Sequence, residues 1–204
     1  VIASFSEDPI MMDNYLNGKD IYTTVGDTMG VDRSAGKVLV LAMAYGVGPD
    51  KISRQIGCSV TEAKKLLGDF STKFPSIHHY RMKVVGQTKN KKYVTTLLGR
   101  RRYIPEIVSR DFATRGGAER QAFNTRIQGS AADIMKLAMV RAYQMIPKEA
   151  SLILTVHDEL VTLTPDSLAD QTKEAIREAM EGINLLDVPL IADVKVVQKW
   201  GEAK

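Results

Sequence analysis

Residues 151–164, SLILTVHDELVTLT, restrict the fold more than any other segment. Two apolar runs flank the polar pair His157-Asp158, the pattern of two strands joined by a turn. Burial of both strands would hold that turn rigid. Elsewhere the text is punctuated for helices. Residues 33–45 read as a helix that Asp32 caps and that Gly46, Gly48 and Pro49 end. A short helix is expected over 50–56. Ser59-Val-Thr-Glu62 is a capping box opening another that runs towards Lys73. Pro75 starts a further helix towards Lys89, residues 93–104 read as a hairpin around Gly99, and a long helix covers 117–146. A helix over 166–181 and a terminal strand near 190–198 complete the expectation. Helices dominate the first half and mix with strands in the second. The fold class is therefore α+β, mostly helical, with an antiparallel β hairpin packed on helices.

Composition narrows the function classes. The 44% hydrophobic and 25% charged content is that of a globular chain with a real core. No segment approaches the roughly 20 apolar residues that span a bilayer, so no membrane partner is expected. The lone Cys58 cannot form an internal disulfide, and a reducing, cytoplasmic compartment is the simplest expectation (a nucleoid, or a host cell if the chain is viral). The net charge of +4 is mild, but the cations cluster. Lys89, Lys91, Lys92, Arg100, Arg101 and Arg102 lie close together, and Arg110, Arg115, Arg120 and Arg126 follow. That middle region can face a polyanion, and a solvated surface fits the charge pattern equally well. Lys89 to Lys92 read as solvated loop, and His78 and His79 as surface or packing residues. Met11, Met12 and the methionines of 135–145 read as core, and Trp200 as an anchor for the C-terminus.

Three constellations bear on chemistry. Arg33, Lys37, Leu41 and Tyr45 are spaced by four, which keeps them on one slowly winding helical stripe. Its two cations sit in the N-terminal half, where the macrodipole favours anions. By spacing alone, an amphipathic helix with two surface cations explains the stripe at least as well. Asp158 and Glu159 follow His157 on the turn between the apolar runs. A carboxylate held there can ligate a hard cation such as Mg²⁺, although a lone turn acid is more often turn chemistry. Arg120, Asn124 and Gln128 repeat the spacing of four in the long helix. Every base pair shows acceptors in the minor groove, so donors placed there can test pair geometry without reading sequence. A polar helix face is the plain alternative. Gly129, in mid-helix, suggests a close approach, and Gly46 suggests room for a base beside Tyr45.

Taken together these motifs resemble family A DNA polymerases. Arg33-x3-Lys37-x7-Tyr45-Gly46 is similar to the motif of the family's fingers helix, His157-Asp158-Glu159 to its palm hairpin, and Gln128-Gly-Ser-Ala-Ala-Asp-Ile134 to its palm helix. The basic hairpin Gly99 to Pro105, with Arg100 and Arg101, also has a counterpart that suits phosphate contact. The resemblance runs from Val1 to about Trp200. It implies a palm edge over 1–13, a fingers subdomain over 14–115 and a C-terminal palm portion over 116–204. It implies that Arg33 and Lys37 hold the triphosphate of a dNTP, with Lys37 assisting pyrophosphate departure as an acid. Tyr45 would sit near the nascent base pair, Asp158 would ligate metal with Glu159 auxiliary, and His157 would lie near the primer terminus. Arg120, Asn124 and Gln128 would contact primer–template DNA. Leu41 departs from the family, which usually has an aromatic residue there contacting the sugar, so sugar discrimination and fidelity are open.

The family's other catalytic aspartate, on a strand preceding the segment matched here, has no counterpart in this chain. Two Mg²⁺ ions activate the primer hydroxyl and stabilise the leaving group in such chemistry. The expectation is therefore one piece of a polymerase, with a second polypeptide or preceding segment carrying that aspartate and the thumb. Two further readings stand beside it. Residues 52–67 have helix-turn-helix periodicity, which fits a sequence-specific DNA-binding protein. A polymerase-derived accessory that binds DNA without catalysis is the other.

Overall fold

Three aspartates set where the first long helices begin. The Asp8 carboxylate accepts from Met11 N (3.1 Å), Asp20 from Tyr22 N (3.3 Å) and Asp32 from Ala35 N (2.7 Å). Each supplies an oxygen to a helix donor that would otherwise lack a partner, worth about 1 kcal/mol. They cap α2 (Pro9–Leu16), α3 (Ile21–Met29) and α4 (Arg33–Tyr45); a short α1 (Ile2–Ser6) precedes them. The computed structural model describes residues Val1–Ala203 and continues with α5 (Pro49–Ile56), α6 (Val60–Lys73) and α7 (Pro75–Lys91). Ser59 and Glu62 form the expected reciprocal capping box of α6. Then come β1 (Tyr93–Thr95), β2 (Arg101–Tyr103) and a 3-10 turn at Pro105–Val108. The long α8 (Phe112–Met145), β3 (Ser151–Val156), β4 (Glu159–Leu163) and α9 (Ala169–Glu181) follow, with 3-10 turns at Asp166–Leu168 and Trp200–Ala203. The α+β, mostly helical class stands.

The residues divide into two units, Val1 to Ser130 and a second starting at Ala131. In the first, α3 and α4 meet through glycines. A Cβ on Gly36 would fall on the Tyr22 carbonyl oxygen and lie 2.9 Å from Gly26 N. One on Gly26 would lie 2.9 Å from Val31 O. Around this crossing Val25 and Leu39 are fully buried. Ala42 of α4 packs with Ile52 of α5 and Ala63 of α6. A further cluster joins Val84 of α7, Val94 of β1, Ile104, Ile107, Ala118, Ala122 and Phe123. The β1–β2 hairpin pairs Tyr93 with Tyr103, Val94 with Arg102 and Thr95 with Arg101. Its Gly99 adopts φ 83°, a left-handed conformation natural to glycine. Gly129 makes the expected close approach, its neighbour being Thr96, whose Cγ2 lies 2.7 Å from where a Cβ would sit.

In the second unit Ala142, Ile176 and Ala179 form the core, with Met145, Leu160 and Val194 packed against it. β3 and β4 form an antiparallel ribbon in which Val156 faces Glu159, with a register irregularity between Leu152 and Leu154. Two expectations fail here. The strands are not buried, since Ile153, Leu154 and Leu163 are exposed. No strand forms near 190–198, because among the described residues β3 and β4 pair only with each other. A ribbon of two strands has two open edges and cannot bury itself. The β-branched text of 190–198 satisfies strand propensity but finds no ladder to join. Trp200 opens a 3-10 turn and is 43% exposed.

The helix crossing generates a stability prediction. Gly36→Ala should lower the free energy of unfolding by about 1–3 kcal/mol, the usual penalty for forcing atoms into a packed contact. Urea denaturation followed by circular dichroism measures it, and an unchanged midpoint would show that the crossing is loose.

Candidate nucleotide and nucleic-acid interface

α4 is sided as its sequence requires. Ala35, Gly36, Leu39, Val40, Ala42, Met43 and Ala44 are buried, while Arg33, Lys37 and Tyr45 are exposed and Leu41 is half-buried. The stripe therefore faces solvent. Both cations lie beside one ring: Arg33 Cζ is 5.5 Å and Lys37 Nζ 5.9 Å from the centre of Tyr22. Sequence reasoning missed Tyr22, which sits in the first turn of α3 with no periodic relation to the stripe. Arg33 also donates from Nε to Asp20 Oδ2 at 2.5 Å. That bond, with Thr23 Oγ1 donating to the same oxygen, holds the Asp20 carboxyl well below its ordinary value, at about 2. One of the donors at the N-terminus of α4 is already taken, because Ala35 N serves Asp32.

The C-terminal end of the stripe meets α8. Gly46 is left-handed at φ 65°, and a Cβ there would lie 2.8 Å from Arg120 Cγ and 3.1 Å from Arg81 Nη2. The space beside Gly46 is thus filled by two arginines, which corrects the expectation of room for a base. Beyond it Arg120, Asn124 and Gln128 line an open groove of about 520 Å³ with Arg102, Gln121 and Thr125. Arg102 is oriented by Thr125, to whose hydroxyl it donates at 3.2 Å. Arg100 and Arg101 are exposed on the hairpin.

Arg126 does not belong to this surface. It donates to Tyr80 Oη (2.9 Å) and to the carbonyls of Thr95 (3.0 Å) and Thr96 (2.9 Å), and it stacks on Phe5 at 4.5 Å. Its charge ties the hairpin to the helices, so it leaves the run of cations expected to face a polyanion. The helix pair α5–α6, read as a possible helix-turn-helix, buries Ile52 and Ala63 against α4.

In the second unit His157, Asp158 and Glu159 are exposed on the ribbon turn. His157 adopts φ 54°, a left-handed conformation that costs a non-glycine residue about 1–2 kcal/mol. Among the described residues no group of three or more His, Cys, Asp or Glu is arranged to hold a metal ion. A Mg²⁺ ion takes one or two carboxylates together with substrate phosphates and water. The turn fits that share for one ion, and it does not offer a ligand set for two.

Comparison with known proteins then decides the family. A family profile described as DNA polymerase family A matches residues 1–202. The chain belongs to that family. It is 37% identical to the thermostable DNA polymerase I of Thermus filiformis over all of this chain and 26% of that protein. It is 36% identical to DNA polymerase I of Streptococcus pneumoniae over all of this chain and 25% of that protein. It spans about a quarter of the length of these curated relatives. Among solved structures, the POL domain of Pol1 from M. smegmatis in complex with DNA primer-template and dNTP superposes with a TM-score of 0.86 at 33% identity, covering 93% of this chain and 35% of that one. No helix among the described residues is long and apolar enough to cross a membrane.

The Arg33–Asp20 contact has a titration consequence. Asp20 is depressed in the folded chain, so the contact stabilises above the ordinary carboxylate value near 3.9 and is lost as pH falls towards about 2. Arg33→Ala should return the Asp20 midpoint towards that ordinary value. Carboxyl-carbon NMR titration reads it directly, and an unmoved midpoint would mean that Thr23 and the helix donors alone hold the shift.

Proposed function

We propose that this chain supplies the fingers and the C-terminal palm portion of a template-directed DNA polymerase that adds dNTPs to a primer 3′ end. The palm edge would lie in 1–13, the fingers in 14–115 and the C-terminal palm portion from 116 on. The observation that carries the reading is the exposed Arg33–Lys37–Tyr45 stripe, whose end at Gly46 packs against Arg120 at the head of a polar groove. Family membership gives that arrangement its chemical meaning.

In this reading Arg33 and Lys37 bind the triphosphate, so Arg33 exchanges Asp20 for phosphate oxygens. A guanidinium binds either acceptor through paired N–H donors. Lys37 delivers a proton to the departing pyrophosphate. Tyr45 lies against the nascent base pair, and Leu41 packs near the sugar. Asn124 and Gln128 donate to minor-groove acceptors. Arg120, Arg100 and Arg101 neutralise backbone phosphates. His157 contacts the primer terminus from the turn, where its backbone is left-handed at φ 54°. Asp158, with Glu159 auxiliary, would contribute carboxylate oxygens to divalent metal. Bound Mg²⁺ supplies activation of the primer hydroxyl and stabilisation of the leaving group, through two ions in the assembled site.

The turn offers a single pair of neighbouring carboxylates, Asp158 and Glu159, so the assembled site needs a further aspartate from another polypeptide or a preceding segment, which would also bring the thumb. The exposed apolar residues of the ribbon, Ile153, Leu154 and Leu163, support a covering strand from that piece. A non-catalytic accessory is the competing reading, and it makes Asp158 dispensable.

The first experiment tests the need for a second piece, and the second separates the polymerase from the accessory. With Mg²⁺ and primer–template, this chain alone should show no robust primer extension, and robust extension would remove the need for a second piece. In an assembly that restores extension, Asp158→Ala should lower the rate at least 100-fold, whereas an accessory would be indifferent. Strain at the turn adds a contrast: His157→Gly should raise stability by up to about 1 kcal/mol, because glycine adopts φ > 0 freely, while slowing extension. Thermal unfolding and steady-state extension read the two effects on the same sample.

A further inference from the structure

Residues 70–105 contain no aspartate or glutamate, yet they hold nine lysines and arginines. Within this stretch α7 and the β1–β2 hairpin have two different faces. Side chains alternate across a strand, so Arg102 and Val94 share one side of the hairpin, and Tyr93, Thr95, Arg101 and Tyr103 share the other. The Arg102 side belongs to the groove lined by Arg120 and Gln128. The opposite side is the one of interest. There Arg101 Cζ lies 5.0 Å over the Tyr93 ring, and Tyr93 and Tyr103 meet edge to face at 5.7 Å. Tyr103 is 68% exposed, although a ring of that size is ordinarily covered.

α7 continues this face. Lys83, Gln87 and Lys91 are spaced by four, are all exposed, and line a cleft of about 230 Å³ with Tyr93. The two lysines stand about 12 Å apart along the helix. Neither makes an ion pair among the described residues. Glu119, which reaches α7, is already engaged by Lys89 at 2.6 Å. Arg126 also lines the cleft, with Nε donating to Tyr80 and Nη1 to the carbonyls of Thr95 and Thr96. Lys91, read from sequence as solvated loop, therefore belongs to an ordered cationic row beside the half-buried Tyr93 and the exposed Tyr103.

We propose that this face binds a run of single-stranded nucleic acid. Phosphates lie against Lys83, Lys91 and Arg101, Gln87 donates to the backbone, and a base stacks on Tyr103. Cations tracking a backbone beside rings that accept any base is the chemistry of sequence-tolerant single-strand binding. An acidic protein would be drawn to the cations but would leave the rings without a stacking partner. Identifying the strand as unpaired template rests on the polymerase reading; the binding itself does not.

The test titrates a fluorescent oligo-dT, a blunt duplex and a primer–template into the full chain at several salt concentrations. Lys83→Ala/Lys91→Ala should weaken oligo-dT binding at least fivefold and flatten its salt dependence by about 1.4, since each lost phosphate contact to a single strand removes about 0.7. Tyr103→Ala should weaken it about tenfold, as expected for one lost base stack, with the salt dependence unchanged. Blunt-duplex binding should stay within twofold for both. The proposal is overturned if both variants bind oligo-dT as the parent does, if duplex binding falls equally, or if polyglutamate competes as well as oligo-dT. Asn124→Ala/Gln128→Ala serves the other reading: it should weaken primer–template and spare oligo-dT. If it leaves primer–template binding intact the groove assignment fails, and the Lys83, Lys91 and Tyr103 results still stand on their own.

Discussion

The first unit depends on two helices coming closer than side chains allow. Gly26 and Gly36 remove the Cβ atoms that would otherwise hold α3 and α4 apart. The contact fixes the rotation of α4 about its own axis. One face, carrying Leu39, is buried as Val25 of α3 is, and the opposite face is left for Arg33, Lys37 and Tyr45. It also brings the first turn of α3 under the cations, so that Tyr22 and Asp20 become their neighbours. A wider crossing would keep every helix and lose this local arrangement. The specificity lies in backbone proximity, which is why two glycines in helix interiors persist despite costing about 1 kcal/mol each relative to alanine.

What the sequence disclosed, and what it withheld, follows from the range of the interactions. Signals within one turn of chain were readable: the Asp32 cap and Gly46 stop of α4, the Ser59–Glu62 box, and the turn at His157-Asp158. The stripe and the groove donors were readable because helical period places them without knowledge of any partner. Residues 1–32 went unassigned as helices because α1, α2 and α3 are only 5, 8 and 9 residues long, too short to show a helical period as clearly as the 13 residues of α4. Long-range events were invisible. Strand propensity at 190–198 could not reveal that no ladder was there to receive it. The arginines packed over Gly46 come from residues 81 and 120, far along the chain. The family resemblance did not bridge these gaps, since its motifs name residues and not the contacts those residues make here.

Charge in this chain is divided between structure and surface, and the sequence does not distinguish the two. Arg126 is a tie between Phe5, Tyr80 and the hairpin carbonyls, and its flat guanidinium serves several acceptors at once in a way an ammonium could not. Lys89 answers Glu119, and Arg33 answers Asp20. What remains outward-facing is a smaller and more ordered set than the count of basic residues suggests.

Trp200 is the only tryptophan, and it sits half-exposed in the last turn of the second unit. The indole emission of this chain is therefore a local spectroscopic probe. It reports on the polarity around one C-terminal turn. A denaturation curve followed through that signal describes the tail of the second unit, and agreement with a far-ultraviolet curve would be evidence that the two units melt together.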